Sequence, residues 1–589
     1  MKSFFGRILT TVIGNIITLS IFGILLVILI AIATFPNSSS SIKEGSVLEL
    51  TFEDPIMEST MDKEVSLFSM NDQSGIYLQD ILESIEAAKN DDNIEGISLK
   101  LENFQGGLTQ ANDIRNALAD FKKSGKFIYA YSNNASQLSY YVSSVADSIY
   151  QNPLGGILLQ GMSSEVTFFK NAGDKYGIDF QVIRYGDFKS AVEPYFRTDL
   201  SDENKLQLNV LLGDIWENIS SEMAQSRKIN PTYFQTVTDS LYSYIPEIGL
   251  KHKVYDKIIH EAEYDDILFK KLNLEENDNK NSSEILAKHT IQLEEYFGLI
   301  SKEANKDKIA VLYASGAITE GDGFDGIQSK TYVDAIREIG KNKNVKGLVL
   351  RVNSPGGSAN ASEEILFELS RLKQKMPIVV SFGDVAASGG YYIAQDSDRI
   401  FAQPNTITGS IGVFGMIPNA KTLANNVGIT TDGVKTNSNA DQLKSVLNPL
   451  SNDTSNLMHK SVAIVYEKFV NHVARNRKMT FDQVNKIGGG RVWSGTSAKQ
   501  VGLIDEFGNL NDAIQYTAKL AKLENYGSES YPKRGDEFAD LLEKYKGYSV
   551  STRIKEELGT DAAKIYEQIK IMNQEKGIQA RLPFNIKIY

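Results

Sequence analysis

Gly347-Leu348-Val349-Leu350-Arg351-Val352 followed by Asn353-Ser354-Pro355-Gly356-Gly357 reads as an apolar strand running into a paired-glycine turn. The same phrase occurs earlier in the chain, where Gly96-Ile97-Ser98-Leu99-Lys100-Leu101 precedes Gly106-Gly107. Tyr391-Tyr392 answers Tyr140-Tyr141 and Pro404 answers Pro153, with the offset held at 250 or 251 throughout. The chain is therefore an internal duplication. Its copies differ at one telling place: the second reads Ala386-Ala387-Ser388-Gly389-Gly390, the first Asn134-Ala135-Ser136-Gln137-Leu138, so that at an offset of 251 Ser388 faces Gln137. A frame kept in both copies while a serine is lost from one gives that serine a role beyond holding the frame.

Each copy opens with a short strand (Val47-Leu48-Glu49-Leu50 and Ile309-Ala310-Val311-Leu312) and then alternates helices with strands. In the second copy the expected strands are Gly347–Val352, Pro377–Ser381 and Arg399–Ala402. The helix between the first two carries Ile365, Leu366, Leu369 and Leu372 at helical spacing. Short apolar strands alternating with helices predict β-α-β units and a mostly parallel sheet, an α/β fold in two tandem repeats. Each copy continues into a more polar helical segment, Ser201–Leu274 and Ser451–Lys486, with an exposed loop over Glu275–Glu284. The expected division is 1–45, an anchor and stalk; 46–300, the N-terminal repeat; 301–523, the C-terminal repeat; and 524–589, a charged tail of weak apolar pattern.

No charge occurs from Ile8 to Ile42, and Ile16–Phe35 is almost wholly apolar, close to the ~20 residues that cross a bilayer. Lys2 and Arg7 precede it, which keeps the N-terminus cytoplasmic and places the bulk outside. A cleaved signal peptide is the alternative, with Ala31-Ile32-Ala33 as its site, but the apolar run is long for one. The expectation is a retained single-pass anchor followed by a Pro36–Ser41 stalk.

Composition narrows the chemistry. The chain of 589 residues has no cysteine, which removes disulfides, thiolate nucleophiles and cysteine metal sites. A net charge of −12 argues against nucleic acid as a partner. None of the five histidines adjoins the glycine-rich turns or shows metal spacing, so neither a Ser-His-Asp triad nor a bound metal or other cofactor is expected.

Asn353–Gly357 lies between a strand and a helix, where Gly356 and Gly357 can turn backbone N–H groups into a cleft and stabilise an oxyanion; a plain tight turn is the competing reading. Ser388 follows the next strand among small residues that leave its hydroxyl open, and the Gly389 N–H offers a second donor. A helix-capping serine is the competing reading there. Two such turns at the same edge of adjacent parallel strands form a cleft. A serine nucleophile needs a base, and without a candidate histidine a buried lysine is the remaining choice. Two lysines stand in matching Lys-Ser-x-x-x-Pro contexts: Lys189 in Phe188-Lys189-Ser190-Ala191-Val192-Glu193-Pro194, and Lys444 in Lys444-Ser445-Val446-Leu447-Asn448-Pro449.

On Asn353–Gly357, Asp384–Tyr392, Thr408–Val413, Phe188–Pro194 and Arg491-Val492-Trp493-Ser494-Gly495, the chain resembles the long, two-repeat form of the signal peptide peptidase A family, membrane-anchored S49 serine peptidases. The resemblance covers most of Val47–Ala521. It implies a ClpP/crotonase-like fold in each repeat and a Ser/Lys dyad. The serine, Ser388, comes from the C-terminal repeat, and the lysine, Lys189, from the N-terminal one. Single-repeat members take the lysine downstream of the serine, which here is Lys444. The missing first-copy serine and the intact Phe188-Lys189-Ser190 favour Lys189. The resemblance further implies Gly389 and a glycine of the Gly356-Gly357 pair as oxyanion donors, with Ser190 or Ser410 orienting the lysine. It also implies a homotetramer acting on short apolar peptides such as remnant signal peptides. The expected membrane is the bacterial inner one, with the catalytic bulk on its periplasmic side. A non-catalytic membrane scaffold and a crotonase-type acyl-CoA enzyme share the fold, and fold alone does not choose between them.

Overall fold

A computed structural model describes residues 42–52, 54–59, 76–276, 281–300, 305–533 and 578–582. The apolar run Ile16–Phe35 lies outside the described residues, as do parts of the 275–284 loop and of the tail. Among the described residues no helix is long and apolar enough to cross a membrane.

The duplication is visible as two sheets of matching order. In the N-terminal repeat the strands run Lys257–Ile258, Ser148–Ile157, Phe127–Ala135, Ile94–Lys100, Ser46–Leu50 and Thr290–Gln292 across the sheet. In the C-terminal repeat the corresponding path is Glu506–Phe507, Arg399–Ala402, Ile378–Ala387, Val345–Ser354, Lys308–Ser315 and Gly527–Tyr531, with Ile407–Gly409 and Val492–Ser494 forming a second branch beside Ile378–Ala387. Val47 pairs with Gly96 in one sheet and Ile309 with Gly347 in the other, both parallel, so the registers match as well as the order. Both repeats lie in one compact unit that begins at Gly45.

The central strands are buried on both faces, which explains their unbroken apolar character. Leu348, Val349, Leu350 and Val352 are fully or almost fully buried. Ile365, Leu366, Leu369 and Leu372, the stripe read from the sequence, pack into the same core.

Two features depart from the sequence reading. The strand expected over Pro377–Ser381 continues to Ala387. It can do so because it changes partner: Val379–Ser381 pair with Arg399–Phe401, and Val385–Ala387 pair with Ile407–Gly409. An extended strand thus runs directly into Ser388. The C-terminal repeat also outruns its expected end at 523, since Gly527–Tyr531 adds a parallel strand beside Lys308–Leu312, in the place that Thr290–Gln292 takes in the first repeat.

A third sheet joins the two repeats. Its order is Ile327–Gln328, Ile318–Thr319, Gly356–Ser358, Gln579–Arg581, Val413–Asn419 and Asp179–Tyr185. Asp179–Tyr185 from the first repeat runs antiparallel to Val413–Asn419 from the second, from Tyr185 opposite Val413 to Asp179 opposite Asn419. This antiparallel register places the residues just after Tyr185 beside those just before Val413.

Candidate active site

That register delivers the lysine to the serine. Lys189 lies four residues beyond the end of one strand, and Ser410 and Gly412 lie just before the start of the other. The Lys189 Nζ is 2.9 Å from the Ser388 Oγ, 3.0 Å from the Ser410 Oγ and 3.4 Å from the Ser410 carbonyl oxygen. Lys189, Ser388 and Ser410 are each wholly buried. The hydrogen-bond partners of the amine are two hydroxyls and a carbonyl, with no carboxylate among them. Burial of an amine without a counter-charge penalises its ammonium form, and holds Lys189 well below the ordinary lysine range.

The backbone around the amine is built for close approach. Gly490, at φ +85°, lies against the lysine so tightly that a Cβ there would sit 2.6 Å from the Lys189 backbone nitrogen. The Phe188 N–H donates to the Gly489 carbonyl at 3.1 Å. The Arg491 guanidinium lies 5.2 Å from the Phe188 ring centre and 4.2 Å from that of Trp493. From the other side Gln207 Nε2 donates to Ser190 Oγ at 2.9 Å, while Gln207 Oε1 accepts from the Val492 N–H at 3.2 Å. The two hydroxyls offered as lysine-orienting groups therefore part company. Ser410 touches the amine, whereas the hydroxyl of Ser190 is bonded to Gln207. Gly488–Gly490 and Gln207 are absent from the sequence reading; the run of three glycines is the available signal for the first, and nothing marks the second among the polar residues of its helix.

Ser388 has φ 55° and ψ −114°, a conformation that costs a non-glycine residue of order 1–3 kcal/mol. Its N–H donates to the Gly409 carbonyl at 2.9 Å. Its hydroxyl makes no capping bond to the short helix Gly389–Ile393 that follows, which removes the reading of Ser388 as a helix cap. Gly356, at φ +93°, packs against this turn: a Cβ on it would lie 2.6 Å from the Gly389 nitrogen. The Gly356 N–H donates to Ser354 Oγ at 3.1 Å. Gly357 belongs to a short strand rather than a bare turn, pairing with Ile318 on one side and Ala580 on the other.

Lys444 is exposed on a bend of the second repeat. The structure does not bring it to Ser388. At the first repeat's counterpart of the serine, Gln137 is buried, and its side-chain oxygen accepts from the backbone N–H groups of Gln160 and Gly161 at 3.1 and 3.0 Å. Gly161 corresponds to Gly412, toward whose carbonyl the Ser388 hydroxyl points at 3.4 Å. A glutamine bonded to backbone thus fills the place that the second repeat keeps for a hydroxyl and an amine.

A buried hydroxyl held against a desolvated amine at the carboxyl edge of a parallel sheet is the arrangement of a hydrolase that works through an activated serine. Peptidase family S49 matches residues 120–275 and 370–524, one segment in each repeat. Protease 4 of Salmonella typhi is 36% identical over 464 residues, covering 77% of this chain and 74% of that protein. Protease 4 of Haemophilus influenzae is 33% identical over 455 residues, covering 75% and 72%. The chloroplastic serine protease SPPA of Arabidopsis thaliana is 29% identical over 501 residues, covering 82% and 70%. The chain belongs to peptidase family S49, in its two-repeat Protease 4 form, and is a serine peptidase.

Proposed function

We propose that this serine peptidase cuts short, apolar peptides, remnant signal peptides among them, with Ser388 as nucleophile and Lys189 as its base. The observation that carries the reading is the 2.9 Å approach of the Lys189 Nζ to the Ser388 Oγ inside a site that also lowers the lysine's proton affinity. Neutral Lys189 takes the Ser388 proton as Oγ attacks the peptide carbonyl. The backbone N–H groups of Gly389 and of one glycine of the Gly356-Gly357 pair receive the developing oxyanion. Charged Lys189 then protonates the leaving amine, and water releases the acyl group by the same proton path in reverse. Ser410, 3.0 Å from the amine, holds it in line.

The apolar run Ile16–Phe35 and its positive N-terminal flank support a single-pass anchor in the bacterial inner membrane, with the catalytic repeats on the periplasmic side. A homotetramer follows from the family resemblance alone. A serine-directed acylating probe on the purified protein, followed by mapping of the modified peptide, tests the assignment. The expected adduct is on Ser388 and is lost in Lys189→Ala; labelling elsewhere, or equal labelling of the two proteins, contradicts it.

A further inference from the structure

Glu193, four residues beyond Lys189, is wholly buried at the start of the short helix Glu193–Phe196. Burying a carboxylate is costly unless it is paired and hydrogen-bonded, and Glu193 is both. Its Oε1 accepts from the Ser201 hydroxyl at 2.5 Å and lies 3.6 Å from the Arg184 guanidinium. Its Oε2 accepts from Asn204 Nδ2 at 3.0 Å and from the Ser201 N–H at 3.3 Å. Both sides of this cluster return to the lysine. On one, Arg184 Nη1 donates to the Lys189 carbonyl at 3.4 Å. On the other, Asn204 Oδ1 accepts from Gln207 Nε2 at 3.0 Å, and the same amide group reaches the Ser190 hydroxyl at 2.9 Å and the Phe188 carbonyl at 3.3 Å. Phe188, Lys189 and Ser190 are thus all tied to one buried carboxylate.

The second repeat lacks this arrangement. At the spacing of 250, Ser451 answers Ser201, and each hydroxyl caps a long helix, Asn452–Arg477 and Asp202–Ser226. Thr454, however, answers Asn204, an exposed Leu457 answers Gln207, and in the Lys444-Ser445 motif Asn448 stands where Glu193 stands. The helix cap is kept in both copies without the acid, so starting the helix does not require Glu193. The carboxylate and the amide relay occur in the copy whose lysine reaches the serine.

We propose, on the Ser388/Lys189 reading above, that Glu193 is a positioning residue for the reaction. Through Arg184 on one flank and the Asn204–Gln207 relay on the other, it fixes the backbone of Phe188–Ser190, and so the place of the Lys189 Nζ between Ser388 and Ser410. Glu193 itself touches neither substrate nor the reacting atoms. The amine has 2.9 Å and 3.0 Å bonds to lose to Ser388 and Ser410 if that backbone moves. The charged groups around the loop are Arg184 on the preceding strand, Arg491 stacked on the Phe188 ring, exposed Asp187 and Glu193. The amine bonds to none of them, so its proton affinity follows its burial.

Hydrolysis of a fluorogenic apolar peptide ester by full-length wild type, Glu193→Gln, Gln207→Met and Lys189→Ala, from about pH 6 to about pH 10, tests the role. Glu193→Gln keeps the side chain's shape and exchanges one acceptor oxygen for a donor. The expected kcat is about 10²-fold lower with KM unchanged, the effect of a misplaced catalytic group. The acid limb of the kcat profile should also move toward the ordinary lysine value, because water admitted to the amine relieves the penalty on its charged form. Gln207→Met leaves Glu193 and its bonds to Ser201 in place; it should show both changes to a smaller degree, and it decides the matter if Glu193→Gln does not fold. Wild-type kcat, a loss confined to KM, or a lower kcat with an unmoved acid limb overturns the inference and leaves the dyad standing, provided that Lys189→Ala is inactive. A Lys189→Ala as active as the wild type overturns the dyad, and the inference with it.

Discussion

In the proposed reaction Lys189 takes up a proton near neutral pH, which an exposed lysine does badly because it is already charged. Burial among neutral partners supplies the shift, and its sign fixes two expectations. Hydrolysis should rise with pH as Lys189 loses its proton, the midpoint lying well below the ordinary lysine value. Stability should rise with pH in the same direction as hydrolysis. Between the lowered folded value and ~10.4 the unfolded chain binds a proton that the folded chain does not, so this residue weakens folding there, and progressively less as pH rises. Lys189→Met, which fills the same volume without an ionisable group, should abolish hydrolysis yet raise the melting temperature at pH 7, the gain shrinking toward pH 10; calorimetry across that range checks it. Ser410→Ala removes one bond to the amine and should lower kcat by about tenfold, in line with roughly 1–1.5 kcal/mol for a hydrogen bond, with KM little changed. Steady-state kinetics would show the split; a rise in KM with kcat unchanged would instead assign Ser410 to substrate binding.

At the scale of elements, the site depends on two strands from different repeats meeting in register and on a glycine segment that lets the lysine loop close down. Gly490→Ala is a sharp probe, because its Cβ would lie 2.6 Å from the Lys189 backbone. The loop must move, and a displacement near 1 Å is enough to lose about 10²-fold in kcat. The expected outcome is that loss with an unchanged circular dichroism spectrum; wild-type kcat would show that the loop tolerates the shift. The same elements show how far the sequence is readable. Repeat frame, parallel strands and the helix stripe at Ile365–Leu372 follow from periodicity, which is local. Ser388 is marked by a difference between copies. The pairing of Lys189 rather than Lys444 with Ser388 is not local, because it depends on 179–185 crossing to 413–419 over more than two hundred residues. Nor does polar composition betray that part of the tail returns as a strand against Gly356–Ser358, since three residues carry too little pattern to declare a partner.

For the molecule as a whole, the seam between repeats is polar and explains why the first copy kept glycines without a serine to serve. A Cβ on Gly107 would lie 1.7 Å from an Asp384 carboxylate oxygen of the second repeat, and that carboxylate accepts from the Thr109 N–H and hydroxyl at 2.7 and 3.0 Å. Beside it Arg351 forms a buried two-point pair with Glu58, at 3.0 and 2.9 Å. Removing one partner of such a pair leaves a buried charge, so Glu58→Ala should cost about 3–5 kcal/mol in denaturant unfolding. Asp113, in the same seam, is pushed up to about 7, chiefly by burial and despite the nearby Arg351. Its carboxyl is protonated in the folded chain where the unfolded chain has already lost the proton, so its contribution to stability is full below pH ~4 and is lost as pH rises through about 7. Asp113→Asn should therefore stabilise the protein at pH 8 and make little difference at about pH 4; equal effects at both would place the titration elsewhere.

The central claim is that one active site is assembled from both halves of the duplication. Hydrolysis of a fluorogenic apolar peptide ester by purified wild type, Lys189→Ala and Lys444→Ala tests it most directly. The split site predicts that Lys189→Ala loses about 10²–10⁴-fold in kcat, the usual worth of a general base, while Lys444→Ala stays near wild type. An active Lys189→Ala beside an inactive Lys444→Ala would contradict the account, making the C-terminal repeat a self-contained enzyme with the N-terminal repeat its structural partner.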